Sequence, residues 1–346
     1  MKKNLFVGLI ALTALTVTSC TNDEVNEMIP QGKAIEFNSY LGRDAQTRAS
    51  VVESNNATYG LQAQGFGVLA YLHDGNTTEY TSANFMKNEK VSGATWDYTT
   101  KYWPTQAVFD ESTPANTKNV IDFLAYGPYG STNIAFDDNY SKTLTFTVPV
   151  EVRDQTDLVV ATPVKNQTST SNTVNPGQVN FTFNHMLSRI AFYAKAYAAY
   201  ANTAITINSI KLTGSFASGG TVDLSAGTPT ISGTPGSVTY ILTATGGDAA
   251  NLTGSNLTTT QVIQNKATDY LMVIPNLESQ DLSVVVNYTV KNTIDNTFVT
   301  NEIPVEIEDK TFAAGSAYAI NLTISLNAIT FNVTEVVGWS NPEIQY

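Results

Sequence analysis

Lys33-Ala34-Ile35-Glu36-Phe37-Asn38-Ser39-Tyr40-Leu41 is the stretch whose reading decides the fold. Ile35, Phe37 and Leu41 fall on one face at a period of two, with Glu36 and Asn38 on the other, which is the pattern of a half-buried β-strand. Gly42 ends it. On the N-terminal side, residues 21–32 are polar, carry Pro30 and Gly32, and read as a tether. On the C-terminal side, Asp44 to Ser50 is a polar loop with Arg48 near its end and Arg43 just before it.

The same alternation recurs along the chain between turn signals. Gly65–Leu72, Trp96–Trp103, Val120–Tyr126, Thr143–Val150 and Asp157–Ala161 come first. Thr143–Val150 sets Leu144, Phe146 and Val148 against Thr143, Thr145 and Thr147. Asn166 to Gly177 reads as a loop. Val179–Ala196 is the one place where a helix competes, but Val179, Phe181 and Phe183 alternate with Asn180, Thr182 and Asn184, so strand is expected throughout. A second series follows: Ile205–Thr213, Gly220–Leu224, Ser237–Thr243, Tyr270–Ile274, Leu282–Val290, Phe298–Ile307, Tyr318–Leu326 and Ala328–Val337. Two sets of about seven short strands, with no long amphipathic helix, predict an all-β fold of two consecutive β-sandwiches joined near Tyr197–Thr203. A length of 346 residues agrees with two domains.

Composition narrows the function. With 42% hydrophobic and 14% charged residues the chain can fill sizeable cores and is not disordered. Net charge is −12, and without residues 1–19 it becomes −14, from 16 basic and 30 acidic side chains. Such a body is repelled by nucleic acid and by anionic lipid, which excludes nucleic-acid binding.

Ahead of the strand, Lys2 and Lys3 precede an apolar run, Leu5 to Val17, too short for a comfortable membrane span and flanked as a signal peptide is. Val17-Thr18-Ser19-Cys20 is similar to the lipobox of bacterial lipoproteins. That similarity implies cleavage before Cys20 and acylation of its sulfur, with more than one chain giving stable anchoring. Cys20 is the sole cysteine, so no intrachain disulfide can form. Thr21-Asn22-Asp23-Glu24 resembles the acidic export tags of surface lipoproteins in Bacteroidetes. The expected partition is a signal peptide (1–19), a lipidated propeptide with a provisional first strand (20–48), an N-terminal sandwich (49–199) and a C-terminal sandwich (200–346).

Reactive chemistry is absent from the motifs. His73 reads as a loop residue and His185 as a packed strand end, neither with the three or four ligands a zinc site needs. No nucleophile elbow or phosphate-cradling loop occurs. Asp137-Asp138 and Asp309 sit in polar turns as solvated carboxylates. No catalytic residue, cofactor or metal is expected, and the chain reads as a non-enzyme. The aromatic run Trp96, Tyr98, Tyr102, Trp103 is expected in a core, because Trp96, Tyr98 and Tyr102 share one face of an extended strand. The alternative is a platform for sugar rings on a surface glycan-binding lipoprotein.

Several short matches belong together: Thr47-Arg48-Ala49-Ser50, Trp96-Asp97-Tyr98 with Tyr102-Trp103-Pro104, Asp122-Phe123-Leu124-Ala125-Tyr126, Asp157-Leu158-Val159-Val160-Ala161, Phe183-Asn184-His185-Met186-Leu187, Phe312 to Tyr318, and Ile329 to Trp339. In these the chain resembles the fimbrillin family, subunits of type V pili. The resemblance implies two transthyretin-like seven-stranded sandwiches, a precursor lipidated at Cys20 and carried to the outer membrane, and cutting by an arginine-directed protease. The first strand then leaves, and the terminal strand of another fimbrial subunit fills the groove, so the mature protein stands in a cell-surface fimbrium. Carried over, the cut falls between Arg48 and Ala49, with Arg43 as the backup among four arginines. The released strand presents Ile35, Phe37 and Leu41. Residues 328–332, Ala-Ile-Thr-Phe-Asn, echo residues 34–38, Ala-Ile-Glu-Phe-Asn, so 328–337 is the candidate donor strand, presenting Ile329, Phe331 and Val333.

Overall fold

The computed structural model describes residues 32–41, 60–75, 80–104, 119–243, 251–254, 258, 260–263, 270–326 and 328–336. Cys20, Arg43, Arg48 and Ala49 lie outside these residues, and of Leu41 only the backbone is described. The first strands in chain order are β1 (Glu36–Leu41), β2 (Phe66–His73), β3 (Met86–Val91), β4 (Val120–Gly127), β5 (Ile134–Phe136) and β6 (Thr143–Thr147). They continue with β7 (Val159–Ala161), β8 (Val164–Gln167), β9 (Gln178–His185) and β10 (Ser188–Ala196). The remainder are β11 (Thr203–Phe216), β12 (Gly219–Asp223), β13 (Ile231–Ser232), β14 (Gly236–Thr243), β15 (Asn251–Thr253), β16 (Gln261–Val262), β17 (Leu271–Val273), β18 (Asn276–Asn292), β19 (Phe298–Phe312), β20 (Ala317–Ile324) and β21 (Ile329–Val336). Among the described residues only Leu61–Gln64 and Val152–Asp154 are helical, each a single turn.

The strands form four sheets. Seven build one in the order β1-β9-β7-β4-β2-β3, with β8 also on β4, and four build the facing sheet β13-β12-β6-β5. The other two run β16-β10-β20-β21, with β17 also on β10, and β14-β11-β18-β19, with β15 also on β11. Alternation explains most of this. β6 alternates exposed Thr143, Thr145 and Thr147 with buried Leu144 and Phe146, the mark of one wet face. In β10 eight of nine residues are buried, and it is parallel to β20. Burial on both faces produces the continuous apolar run in which a helix competes. Val179–Ala196 is thus two strands, parted at Met186-Leu187.

Leu69, Tyr71, Leu124 and Tyr126, on one face of the seven-stranded sheet, join a core that continues through Leu144 and Phe146 into Ile205, Leu212, Val284 and Ile320. Pairing also crosses the expected junction. β12 is antiparallel to β6, and β10 is parallel to β20. The division into 49–199 and 200–346 therefore stands as a proposal about folding units, with β10 and β12 each partnered across it.

Two expectations are corrected. Trp96–Trp103 is not one extended strand. Gly93 (φ 83°) and Trp96 (φ 56°) turn the chain back so that Ser92 and Asp97 bridge, the Ser92 amide reaching the Asp97 carbonyl at 3.1 Å and the Asp97 amide the Ser92 carbonyl at 2.6 Å. His73 is not a loop residue. It closes β2, its Nε2 is 3.1 Å from Asp122 Oδ1, and its Nδ1 accepts from the Gly75 amide at 3.1 Å.

Candidate functional site

The second face of the seven-stranded sheet carries a separate core, and β1 is its edge. β1 is parallel to β9, with Glu36 opposite Gln178, Phe37 opposite Val179, Asn38 opposite Asn180 and Ser39 opposite Phe181. Alternation aims Ile35 and Phe37 inward, at 2% and 4% exposure, while Glu36, Asn38 and Tyr40 stay in solvent. Phe37 stacks on Phe181 at 5.7 Å and meets Tyr98 (5.0 Å), Phe123 (6.0 Å) and Phe66 (6.4 Å) edge-on. These are the separations at which aromatic pairs add stability beyond their buried area.

The aromatic run closes the groove from the outer side. Ala34 and Tyr102 form an antiparallel bridge, with the Ile35 amide on the Lys101 carbonyl and the Trp103 amide on the Lys33 carbonyl, both at 2.9 Å. The Tyr98 hydroxyl donates to the Ile35 carbonyl at 2.8 Å, and burial pushes that phenol above its usual range. Gly177 closes the mouth. Its carbonyl accepts from the Glu36 amide (3.1 Å) and from Trp103 Nε1 (3.0 Å). Gly177 has φ 91°, and a Cβ there would lie 2.6 Å from Lys33 Cε and 3.2 Å from the Ala34 carbonyl oxygen, so only glycine fits without a shift.

Trp96 and Trp103 are buried in this core, at 9% and 4% exposure, whereas Tyr102 is 40% exposed. Core packing holds for the two tryptophans and fails for Tyr102, because the chain turns at Trp96 and the period-two count breaks. Buried indoles leave no open face on which a sugar ring could stack.

At the other end of the chain, β21 is antiparallel to β20 from Ile324 opposite Ile329 to Ala317 opposite Val336. Ile329 and Val333 are half-buried against the main core, while Phe331 is 36% exposed. The two strands with the same Ala-Ile-x-Phe-Asn sequence both end their sheets but meet different surroundings: Phe37 is enclosed by aromatic rings, whereas Phe331 is one-third exposed. A hydrogen bond from the Ser325 amide to the Ala328 carbonyl (2.8 Å) closes the turn between β20 and β21.

The remaining polar clusters are structural. Buried Asp122 takes hydrogen bonds from the Tyr80 hydroxyl and, at 2.5 Å, from the Asn166 amide, besides its contact with His73. Burial, then the bond to Asp122, holds the Tyr80 phenol far above its usual range. Sequence reasoning did not connect Tyr80 with Asp122, since 42 residues separate them. His185 Nδ1 lies 2.9 Å from Asp157 Oδ2. The Arg189 guanidinium, 1% exposed, sits 4.4 Å over the Tyr270 ring. Among the described residues no three His, Cys, Asp or Glu side chains gather at metal-binding geometry, and no helix is long and apolar enough to cross a membrane.

Comparison with known proteins bears on this arrangement. The family described as fimbrillin-like matches residues 47–339. A fimbrium subunit, Fim1C, of Phocaeicola vulgatus is 31% identical over 209 residues, which is 53% of this chain and 49% of that protein. The match thus spans about half the length of that relative. A crystal structure of a fimbrial protein from Bacteroides vulgatus superposes with a TM-score of 0.61 at 23% identity, covering 89% of this chain and all of that one (100%). That likeness shows the fold.

Proposed function

The chain belongs to the fimbrillin-like family, and from that premise we propose that it is a structural subunit of a cell-surface fimbria that supports adhesion. In this reading it is exported as a lipoprotein acylated at Cys20 and held at the outer membrane. It is cut after Arg48 and polymerises when another subunit's terminal strand replaces β1.

The observation that carries the proposal is the position of β1. It is the end strand of its sheet, covered on its outer side only where Lys33–Ile35 meets Lys101–Trp103, yet its Phe37 and the preceding Ile35 complete a core. Each is worth about 1.5–3 kcal/mol when buried. Losing both costs an amount comparable to much of a domain's whole margin, about 5–15 kcal/mol. Departure also bares β9 from Gln178 to Phe183, an open edge of the kind that recruits a strand.

Arginine placement favours selectivity. Arg189 is buried, and the backbone after exposed Arg153 is tied into a helical turn by bonds from Asp154 to Glu151 (3.0 Å) and from Gln155 to Val152 (3.2 Å). Neither described arginine thus offers a ready site, and the reading keeps the cut at Arg48, with Arg43 as backup, as the family resemblance implies. The test is Arg48→Ala with and without Arg43→Ala, read by N-terminal sequencing of surface material and by detergent-resistant ladders. The wild type is expected to start at Ala49. Ladders from the double variant indistinguishable from wild type would overturn the maturation scheme.

A further inference from the structure

Tension along a fibre has to cross every subunit in it, and the chain offers a short route. In the strand-replacement reading above, load enters at the β1 position, which is paired with β9 from Gln178 to Phe183. It leaves through the terminal strand β21, which follows β20 after the turn at 325–328. β9 runs on into β10 through Met186-Leu187 alone. The two load lines therefore meet where β10 lies beside β20.

That pairing is parallel and unbroken. Eight consecutive residues of β10 are in register, from Arg189 opposite Ala317 to Ala196 opposite Ile324, with no bulge. Backbone bonds secure both ends of the ladder. The Gly315 amide donates to the Leu187 carbonyl (2.9 Å) and the Arg189 amide to the Ser316 carbonyl (3.0 Å), while at the far end the Tyr197 amide reaches the Ile324 carbonyl (2.8 Å). The Ser188 hydroxyl adds a bond to the Ala313 carbonyl at 2.7 Å.

Polarity decides how this ladder takes a load. β10 is pulled from its N-terminal end, where β9 joins it, and β20 from its C-terminal end, where the terminal strand joins it. In a parallel pair those two points lie at opposite ends of the ladder, so the pull slides one strand along the other and strains all the evenly spaced bonds together. An antiparallel pair would bring the two points to the same end and open one bond at a time. The ladder is also dry, with eight of nine residues buried in β10 and six of eight in β20, so a strained bond finds no water to replace its partner. On its other side β10 is held by β17 at Ser188–Ile190 and by β16 at Tyr193 and Ala194, which keeps it from swinging away from β20.

Resting on the strand-replacement reading for where load enters and leaves, we propose that the parallel β10–β20 pair is the load-bearing clamp of the subunit. Tension between the β1 groove and the terminal strand is resisted by shear of this ladder, and its rupture sets the force at which the subunit gives way.

The test is single-molecule pulling of the uncut chain carrying Cys20→Ser, with handles attached through azide-bearing residues placed at the exposed positions Val174, Tyr197 and Leu326, two at a time. Handles at 174 and 326 load β10 through β9 and shear the ladder. Handles at 197 and 326 pull the same two strands from their adjoining C-terminal ends and unzip it. The first rupture along 174–326 is expected at a force at least about twofold higher than along 197–326, because forced unfolding follows the barrier met along the pulled direction. Equal forces would overturn the clamp. The barrier is located with Lys195→Cys and Thr323→Cys, which face each other in register and can close a disulfide across the ladder. Closing it should raise the first rupture along 174–326, and reduction should restore the unstapled force. A stapled chain that still ruptures at the unstapled force would put the barrier outside β10–β20 and overturn the proposal. Both measurements use one chain, so cut wild-type protein that stays monomeric would sink the strand-replacement reading without altering either result.

Discussion

Replacing Phe37 with alanine in the uncut precursor separates the first strand's contribution from that of its echo. Phe37 is 4% exposed and has four aromatic neighbours within 6.4 Å, one stacked and three edge-on. A Phe→Ala change in such a site costs about 3–5 kcal/mol, because transfer free energy and cavity cost add. At about 2–4 °C per kcal/mol for chains of about 150–250 residues, the thermal midpoint should fall by roughly 6–20 °C. Phe331→Ala removes a ring that is 36% exposed on an edge strand, so its effect on the precursor should stay below about 1.5 kcal/mol. The assay is scanning calorimetry or urea denaturation of the two variants beside wild type, all uncut. Cleaved and assembled material should reverse the ranking, with Phe331→Ala now weakening the polymer. A precursor in which Phe37→Ala and Phe331→Ala cost the same would refute the reasoning, because β1 would then not be the strand that completes this core.

Two further outcomes follow from the geometry. Gly177→Ala forces a Cβ into Lys33 and the Ala34 carbonyl at φ 91°, so it should destabilise the precursor by about 1–3 kcal/mol, measured by urea denaturation, and should speed release of the cut strand. Burial raises the Asp223 carboxyl, but hydrogen bonds from the Ser225 hydroxyl and amide, with Lys142 at 3.1 Å, outweigh it and hold the group below its usual value. The stability this confers is present above about pH 4 and is lost as pH falls through the depressed value. Asp223→Asn should therefore flatten the acid limb of the urea midpoint between about pH 5 and pH 3, by under about 1 kcal/mol because the pair is partly solvated.

How much of the fold is legible depends on how each strand is wetted. β6 and β18 have one dry face, and period two finds them without help from elsewhere. β3 reads Met86-Lys87-Asn88-Glu89-Lys90-Val91 with only its two ends buried, so it shows no alternation and no local signal marks it. Period two puts the aromatic run in a core, which holds for its tryptophans, but in an extended strand, which Trp96 at φ 56° does not form, and a count of apolar spacing cannot register that backbone turn. His73 precedes Asp74-Gly75, a turn signal, and its strand pairing comes from β4, some fifty positions away. For the site, the alternation of Ile35 and Phe37 was readable. The parallel partner and the closure by Tyr98 to Trp103 were not, because each is supplied by a neighbour distant in sequence.

The two Ala-Ile-x-Phe-Asn segments make the last point. Nothing local distinguishes them, yet Phe37 is 4% and Phe331 36% exposed. A phenylalanine one-third exposed on an edge strand invites association, and folded proteins ordinarily blunt such edges with charge or proline. β21 carries neither at residues 329–334, and Glu335 is its sole charge. Its own position accounts for Ile329 and Val333, which pack against the main core, but leaves Phe331 one-third exposed. In the proposed exchange the β1 groove would cover that ring, because Phe66, Tyr98, Phe123 and Phe181 already surround Phe37 there. The comparison to make is therefore between Phe331 before assembly and Phe331 after it, and a ring that becomes protected only in the polymer is the signature of that exchange.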